Sequence, residues 1–147
     1  MSSVGVDIIE VARVQKSLEN PKFVSRVFLP SEVEYCKKHK EYAQHFAGMF
    51  ACKEAVMKAF KTAGQYFLDI EITHQTNGAP KIVLHGKLAQ MFDSEKLDVS
   101  VSHVKDNAIA MCIYNYWFCF EFCASKMQFT IFWFAMRKSW DCFVTFG

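Results

Sequence analysis

The stretch LDIEITHQTNGAPKIVLHG, residues 68–86, decides the fold class. Its first half alternates: Leu68, Ile70 and Ile72 fall on one side, Asp69, Glu71 and Thr73 on the other. That is the period of a strand with one wet face. Asn77-Gly78-Ala79-Pro80 is a strong turn signal, and KIVLHG then runs back as the partner strand, so the stretch is an antiparallel hairpin. Toward the C-terminus, residues 86–93 suit a short helix. LDVSVSH at 97–103 alternates again, VKDN turns, and AIAMCIY at 108–114 returns. Toward the N-terminus, VGVDII at 4–9 reads as a strand, with Val4, Val6 and Ile8 opposite Gly5, Asp7 and Ile9. Helical spacing follows at Val11, Val14 and Leu18, closed by Glu19-Asn20-Pro21. A second helix starts in LPSEVEYCKKH, with Ser31 expected as N-cap and Glu32 and Glu34 suited to the positive end of the dipole. A third runs over about 45–61. The order strand, three helices, hairpin, short helix, hairpin predicts an α+β fold with an antiparallel sheet packed against helices.

At 147 residues the chain fits one domain with a substantial core. A hydrophobic share of 52% and a charged share of 22% exclude a disordered chain. The net charge of +2 gives no footprint for nucleic acid, and no nucleic-acid-binding motif is present. The start MSSVGVDIIEV enters a strand pattern at once, without a basic segment and apolar run, so a cytoplasmic setting is expected. The six cysteines are then expected to be reduced thiols. A zinc site from Cys36, His39, His45 and Cys52 lacks matched ligand spacing and is the lesser reading. The expected domain is 1–116. Residues 117–147 form an aromatic-rich tail that holds all three tryptophans and three of the six cysteines. Glu121, Lys126 and Gln128 break its apolar run, against a simple membrane span. Two readings of the tail stay open: a membrane-surface or partner-binding extension, or a segment that is no evolved part of the domain.

The third helix, with FACKEAVMKAF at 50–60, carries charges in an apolar context. Phe46, Met49, Phe50, Val56, Met57 and Phe60 form an apolar sector. Gly48, Ala55 and Ala59 form a small-residue sector that lets another backbone approach. Glu54 and Lys58 stack one turn apart on a third, beside Ala47 and Ala51, as a floor for a polar ligand. The plain alternative is an ordinary surface ion pair. Lys53 falls within the apolar sector and is expected to snorkel outward, with no role. Asp7 adds a second acid. Two carboxylates suit a hard divalent ion such as Mg²⁺, which fills its other positions with water and substrate phosphates. Lys58 would neutralise phosphate oxygens as a point charge. Ser100, Ser102 and His103 make a third polar cluster at a strand end; Ser102 and His103 point to opposite faces and do not form a dyad.

VGVDIIEVARV, FAGMFACKEAVMKAF and VSVSHVKDNAIA, in that order and with NGAPKI before the third, resemble the holo-acyl-carrier-protein synthases, the small 4′-phosphopantetheinyl transferases. The resemblance spans about residues 4–114. It implies Mg-dependent transfer of the 4′-phosphopantetheine arm of coenzyme A to a serine of apo acyl carrier protein, releasing adenosine 3′,5′-bisphosphate, in fatty acid biosynthesis. It implies Mg²⁺ on Asp7 and Glu54, phosphate contact by Lys58, and a hold on coenzyme A by His103. Carrier protein would meet Arg13 and Lys16 on the first helix, and the family forms homotrimers with active sites at subunit interfaces. Two departures stand out. Met49 takes the place of the usual arginine, and FKTAG replaces a glycine-threonine-glycine loop, keeping only Gly64 and adding Lys61 near the phosphates. They leave an alternative: a catalytically weak relative acting as a coenzyme A or carrier-protein binding module.

Overall fold

In the computed structural model, residues 1–62 and 65–116 are described; the tail at 117–147 lies outside them. The elements are β1 (Ser2–Glu10), α1 (Val11–Leu18), α2 (Pro21–Val27), α3 (Pro30–Lys37), α4 (Tyr42–Ala59), β2 (Ile70–His74), β3 (Pro80–Leu84), α5 (Gly86–Met91), β4 (Leu97–His103) and β5 (Asn107–Asn115). The class is α+β, as the hairpins predict. Two antiparallel sheets form, one in the order β1-β5-β4 and the other β2-β3. β2 and β3 register Ile70 on Leu84 and Ile72 on Ile82, four side chains that all enter the core.

The helix count exceeds the expectation by one. Glu19-Asn20-Pro21 does end α1, but it also starts α2: Asn20 is the N-cap, its side chain accepting a hydrogen bond from the Lys22 N–H, and Pro21 occupies the first turn. α3 likewise starts at Pro30, so Ser31 is not its cap; the Ser31 hydroxyl instead donates to Glu71, 2.8 Å away.

α4 is the spine, about 27 Å long at 1.5 Å per residue. Its small-residue sector does what the spacing predicts. Gly5 of β1 lies directly on it, where a Cβ would fall on the Ala55 carbonyl oxygen and 2.6 Å from the Ala59 nitrogen. The Ser3 hydroxyl donates to the Ala59 carbonyl, 2.7 Å away, securing the same contact. This crossing turns β1 against the common pattern. The face bearing Gly5, Asp7 and Ile9 meets the helix, while Val4, Val6 and Ile8 stay 45–65% exposed. Register places Val6 on Met111 and Ile8 on Ile109, so the uncovered sheet face is a continuous apolar strip.

Candidate functional site

Asp7 comes from the middle of β1, three residues short of its end, on the face turned to α4. Glu54 and Lys58 come from the facing helix. The Lys58 ammonium meets Asp7 Oδ1 at 2.8 Å and also donates to the Val6 carbonyl at 3.0 Å. Asp7 is 15% exposed and Lys58 51%, so the pair sits at a wet rim with its acid inward. Lys58 is not paired with Glu54, which removes the plain reading of an i,i+4 ion pair. Among the described residues Glu54 has no side-chain hydrogen bond. Its carboxyl is held above the usual carboxylate range, first by burial and then by the negative charge of Asp7, with Lys58 pulling the other way. Two acids from distant parts of the sequence therefore share one field, with an amine bound to one of them.

Such an arrangement of oxygen donors suits a hard divalent cation. Half-buried carboxylates that repel each other are relieved by a shared positive charge, and two carboxylates are what Mg²⁺ ordinarily takes from protein. Among the described residues no group of three His, Cys, Asp or Glu is placed to hold a metal, so the remaining positions would belong to water and substrate. The zinc reading fails on the same count. Cys36, His39, His45 and Cys52 are not grouped to hold an ion, and both cysteines are buried as free thiols.

The other expected residues are spread out. Arg13 and Lys16 lie exposed on α1, whose buried stripe is Val11 and Val14. Lys61 follows α4 in a left-handed conformation (φ 56°), exposed, where the chain leaves the helix. Gly64 lies outside the described residues. His103, at the end of β4, lies 5.8 Å from the ring of His45, and both line a cavity of about 200 Å³ with His74, Met49 and Tyr35. His39 stacks on His45 at 3.9 Å and His74 on Tyr35 at 4.1 Å, so four imidazoles, with His103, gather in one region. Burial, then the other imidazoles, holds His45 below the usual histidine value; burial and His39 do the same to His74.

One charged centre departs from the expectation its pattern gives. Lys53 does not snorkel. It is fully buried, 2.7 Å from an equally buried Glu32. The signal that could have shown this is Glu32 itself, an acid three positions into a Pro-started helix, whose carboxylate accepts the Leu29 N–H.

Residues 3–112 match the family model of the 4′-phosphopantetheinyl transferase superfamily, and the chain belongs to that family. Among its relatives, a protein named holo-[acyl-carrier-protein] synthase from Protochlamydia amoebophila is 40% identical over 117 residues, covering 76% of this chain and 96% of the relative. Two crystal structures of synthases bearing that name align with the fold. The Helicobacter pylori protein, in complex with coenzyme A, gives a TM-score of 0.66 at 35% identity, over 76% of this chain and 99% of that one. The Bacillus anthracis protein, in complex with CoA (3′,5′-ADP), gives 0.64 at 32%, over 76% and 94%.

Proposed function

We propose that this chain is a holo-acyl-carrier-protein synthase that moves the 4′-phosphopantetheine group of coenzyme A onto a serine of an apo acyl carrier protein. The observation that carries the reading is the meeting of Asp7, Glu54 and Lys58 in one small field, within a fold shared with proteins of that name. The serine oxygen forms a new bond to the phosphorus that bears pantetheine. The bond from that phosphorus to the bridging oxygen breaks, and adenosine 3′,5′-bisphosphate leaves. Little covalent chemistry falls to the protein, which must chiefly align groups and balance charge.

Lys58, steered by Asp7 and the Val6 carbonyl, presents an ammonium to phosphate oxygens. Glu54, half-buried and with a raised pKa, is suited to take the serine proton directly or through a water. When bound by Asp7 and Glu54, Mg²⁺ supplies neutralisation of the diphosphate. His103 and its cavity would hold another part of coenzyme A, with Lys61 and Gly64 beside its phosphates. Arg13 and Lys16 offer positive charge to an acidic carrier, a contact that weakens with salt.

A homotrimer with interfacial sites fits two observations. The β1-β5 face leaves Val4, Val6, Ile8, Ile109 and Met111 uncovered, an apolar strip of the kind that subunits cover. Neither the 200 Å³ cavity nor the open groove of about 480 Å³ beside Glu10, Lys40 and Lys105 has Asp7, Glu54 or Lys58 in its wall. A neighbour would complete the enclosure. Among the described residues no helix is long and apolar enough to cross a membrane.

Incubation with coenzyme A, Mg²⁺ and apo acyl carrier protein should add the mass of phosphopantetheine to the carrier, and Glu54→Ala should abolish the gain. No gain under any metal or carrier condition would leave only the weaker reading, a module that binds without transferring.

A further inference from the structure

Lys53 and Glu32 form a buried node whose bonds are complete. The ammonium spends its three donors on Glu32 Oε2 at 2.7 Å and on the carbonyls of Val27 and Phe67, each at 2.9 Å. The carboxylate accepts from the Leu29 N–H at 2.8 Å and the Ile72 N–H at 2.9 Å. One ion pair thus ties α4 to the end of α2, the start of α3, the turn before β2, and β2 itself. Both side chains are fully excluded from water. Taking two charges out of water is costly, and apolar residues of similar size often serve stability as well or better. The retained pair therefore calls for a role beyond packing.

Its place in the sequence suggests one. Lys53 immediately precedes Glu54, and neighbours on a helix are separated by a fixed turn of about 100°. If α4 rotated about its axis, Lys53 would leave Glu32 by the same angle that Glu54 left Asp7. At a side-chain radius of roughly 5–6 Å, a 20° rotation displaces a carboxylate by roughly 2 Å. Ligation and catalysis tolerate about 0.5 Å. Gly5 against Ala55 and Ala59 fixes the distance of the helix from β1, but a contact between small residues resists rotation poorly. The directional bonds of Lys53, shielded from water, add to the hold that the half-exposed Lys58 keeps on Asp7 and the Val6 carbonyl.

We propose that Lys53, held by Glu32, is a positioning residue that sets the rotation of α4 and so aims Glu54 at Asp7; the proposal rests on the reading of Asp7, Glu54 and Lys58 as the transferase site. The node also holds the Phe67 carbonyl, fixing the far end of the segment that leaves α4 through Lys61.

The test uses the full chain in two variants, the double replacement Lys53→Met/Glu32→Leu, which leaves no buried charge unpaired, and Glu32→Asp, which keeps the charge pair but shortens its reach. Folding is followed by circular dichroism and cooperative melting. Mg²⁺ alone, without coenzyme A, is titrated against the melting temperature, and kcat and KM for carrier are measured separately. A folded variant should bind Mg²⁺ at least about tenfold more weakly and lose about 100-fold in kcat with little change in KM for carrier. A folded variant with wild-type Mg²⁺ response and kcat would overturn the proposal and leave the node purely structural. Glu54→Ala runs in parallel: if it too keeps Mg²⁺ response and turnover, the site reading itself has failed, a result distinct from failure of the node alone.

Discussion

Lys58 binds Asp7 across 51 positions of sequence, at 2.8 Å, and passes over Glu54 one turn back on its own helix. The site is therefore neutralised unevenly. One acid carries a counter-ion, while the other sits half-buried without one among the described residues.

Replacing Lys58 should separate two properties that usually fall together. Lys58→Met frees the Asp7 carboxylate, so Mg²⁺ should bind as well as before or better. Transfer should drop by about 100-fold or more for want of a phosphate-facing cation. Metal titration by thermal shift and steady-state kinetics read the two effects; a parallel loss of both would count against the assigned division of labour.

Asp7→Asn acts in the opposite sense. It removes a ligand, a loss that outweighs the easing of Asp7's charge on Glu54, so Mg²⁺ affinity should fall at least about tenfold. An unchanged metal titration would remove Asp7 from the metal site.

The raised pKa of Glu54 has a definite sign in stability. The folded state holds the proton more tightly than the unfolded chain, whose value is near 4.5, so stability is lost as pH rises from below 4.5 through the folded value. At neutral pH the free enzyme bears that cost. Glu54→Gln should then melt higher than the wild type at pH 7 without metal, and the advantage should vanish when Mg²⁺ is added or the pH is lowered past both values. Differential scanning calorimetry at the two pH values checks this.

The histidine cluster works the other way. His45 and His74 are depressed in the fold, so their contribution is present above about 6.5 and is lost as pH falls through their folded values. Urea midpoints should decline from pH 7.5 toward 5, and His45→Asn should flatten that slope. A slope unchanged by the substitution would mean that the stacked rings carry no such linkage.

Gly5→Ala should be far worse than its size suggests. The added methyl meets backbone atoms of Ala55 and Ala59, which cannot swing aside as a side chain would. A cost of about 1–3 kcal/mol is expected from chemical denaturation, together with weaker Mg²⁺ binding, because Asp7 is two residues along the displaced strand.

Much of the fold was legible because its signals are local. The alternation at 68–74 and 97–103, the Asn-Gly turn and the small-residue stripe on α4 each depend on neighbours a few positions away. α2 is hidden in the sequence because Asn20-Pro21, which ends α1, is also a start, an N-cap followed by proline. The burial of Val4, Val6 and Ile8 could not be settled within one strand: Gly5 decides which face meets the helix, and an uncovered apolar face belongs to a surface that periodicity does not describe. In the candidate site, Asp7, Glu54 and Lys58 were visible as residue types in a familiar order, but the partnership of Lys58 with Asp7 is tertiary. So is that of Lys53 with Glu32, 21 positions apart and joined only when α3 packs on α4.

The seat of β1 on α4 has one more consequence. Side chains adapt to a changed neighbour by switching rotamers, but main chain pressed on main chain has no rotamers to switch. The gap between strand and helix is set by atomic radii at Gly5. Evolution of new preferences in this molecule is thereby directed away from the acids and toward the segments around them, where a change of residue can still alter shape.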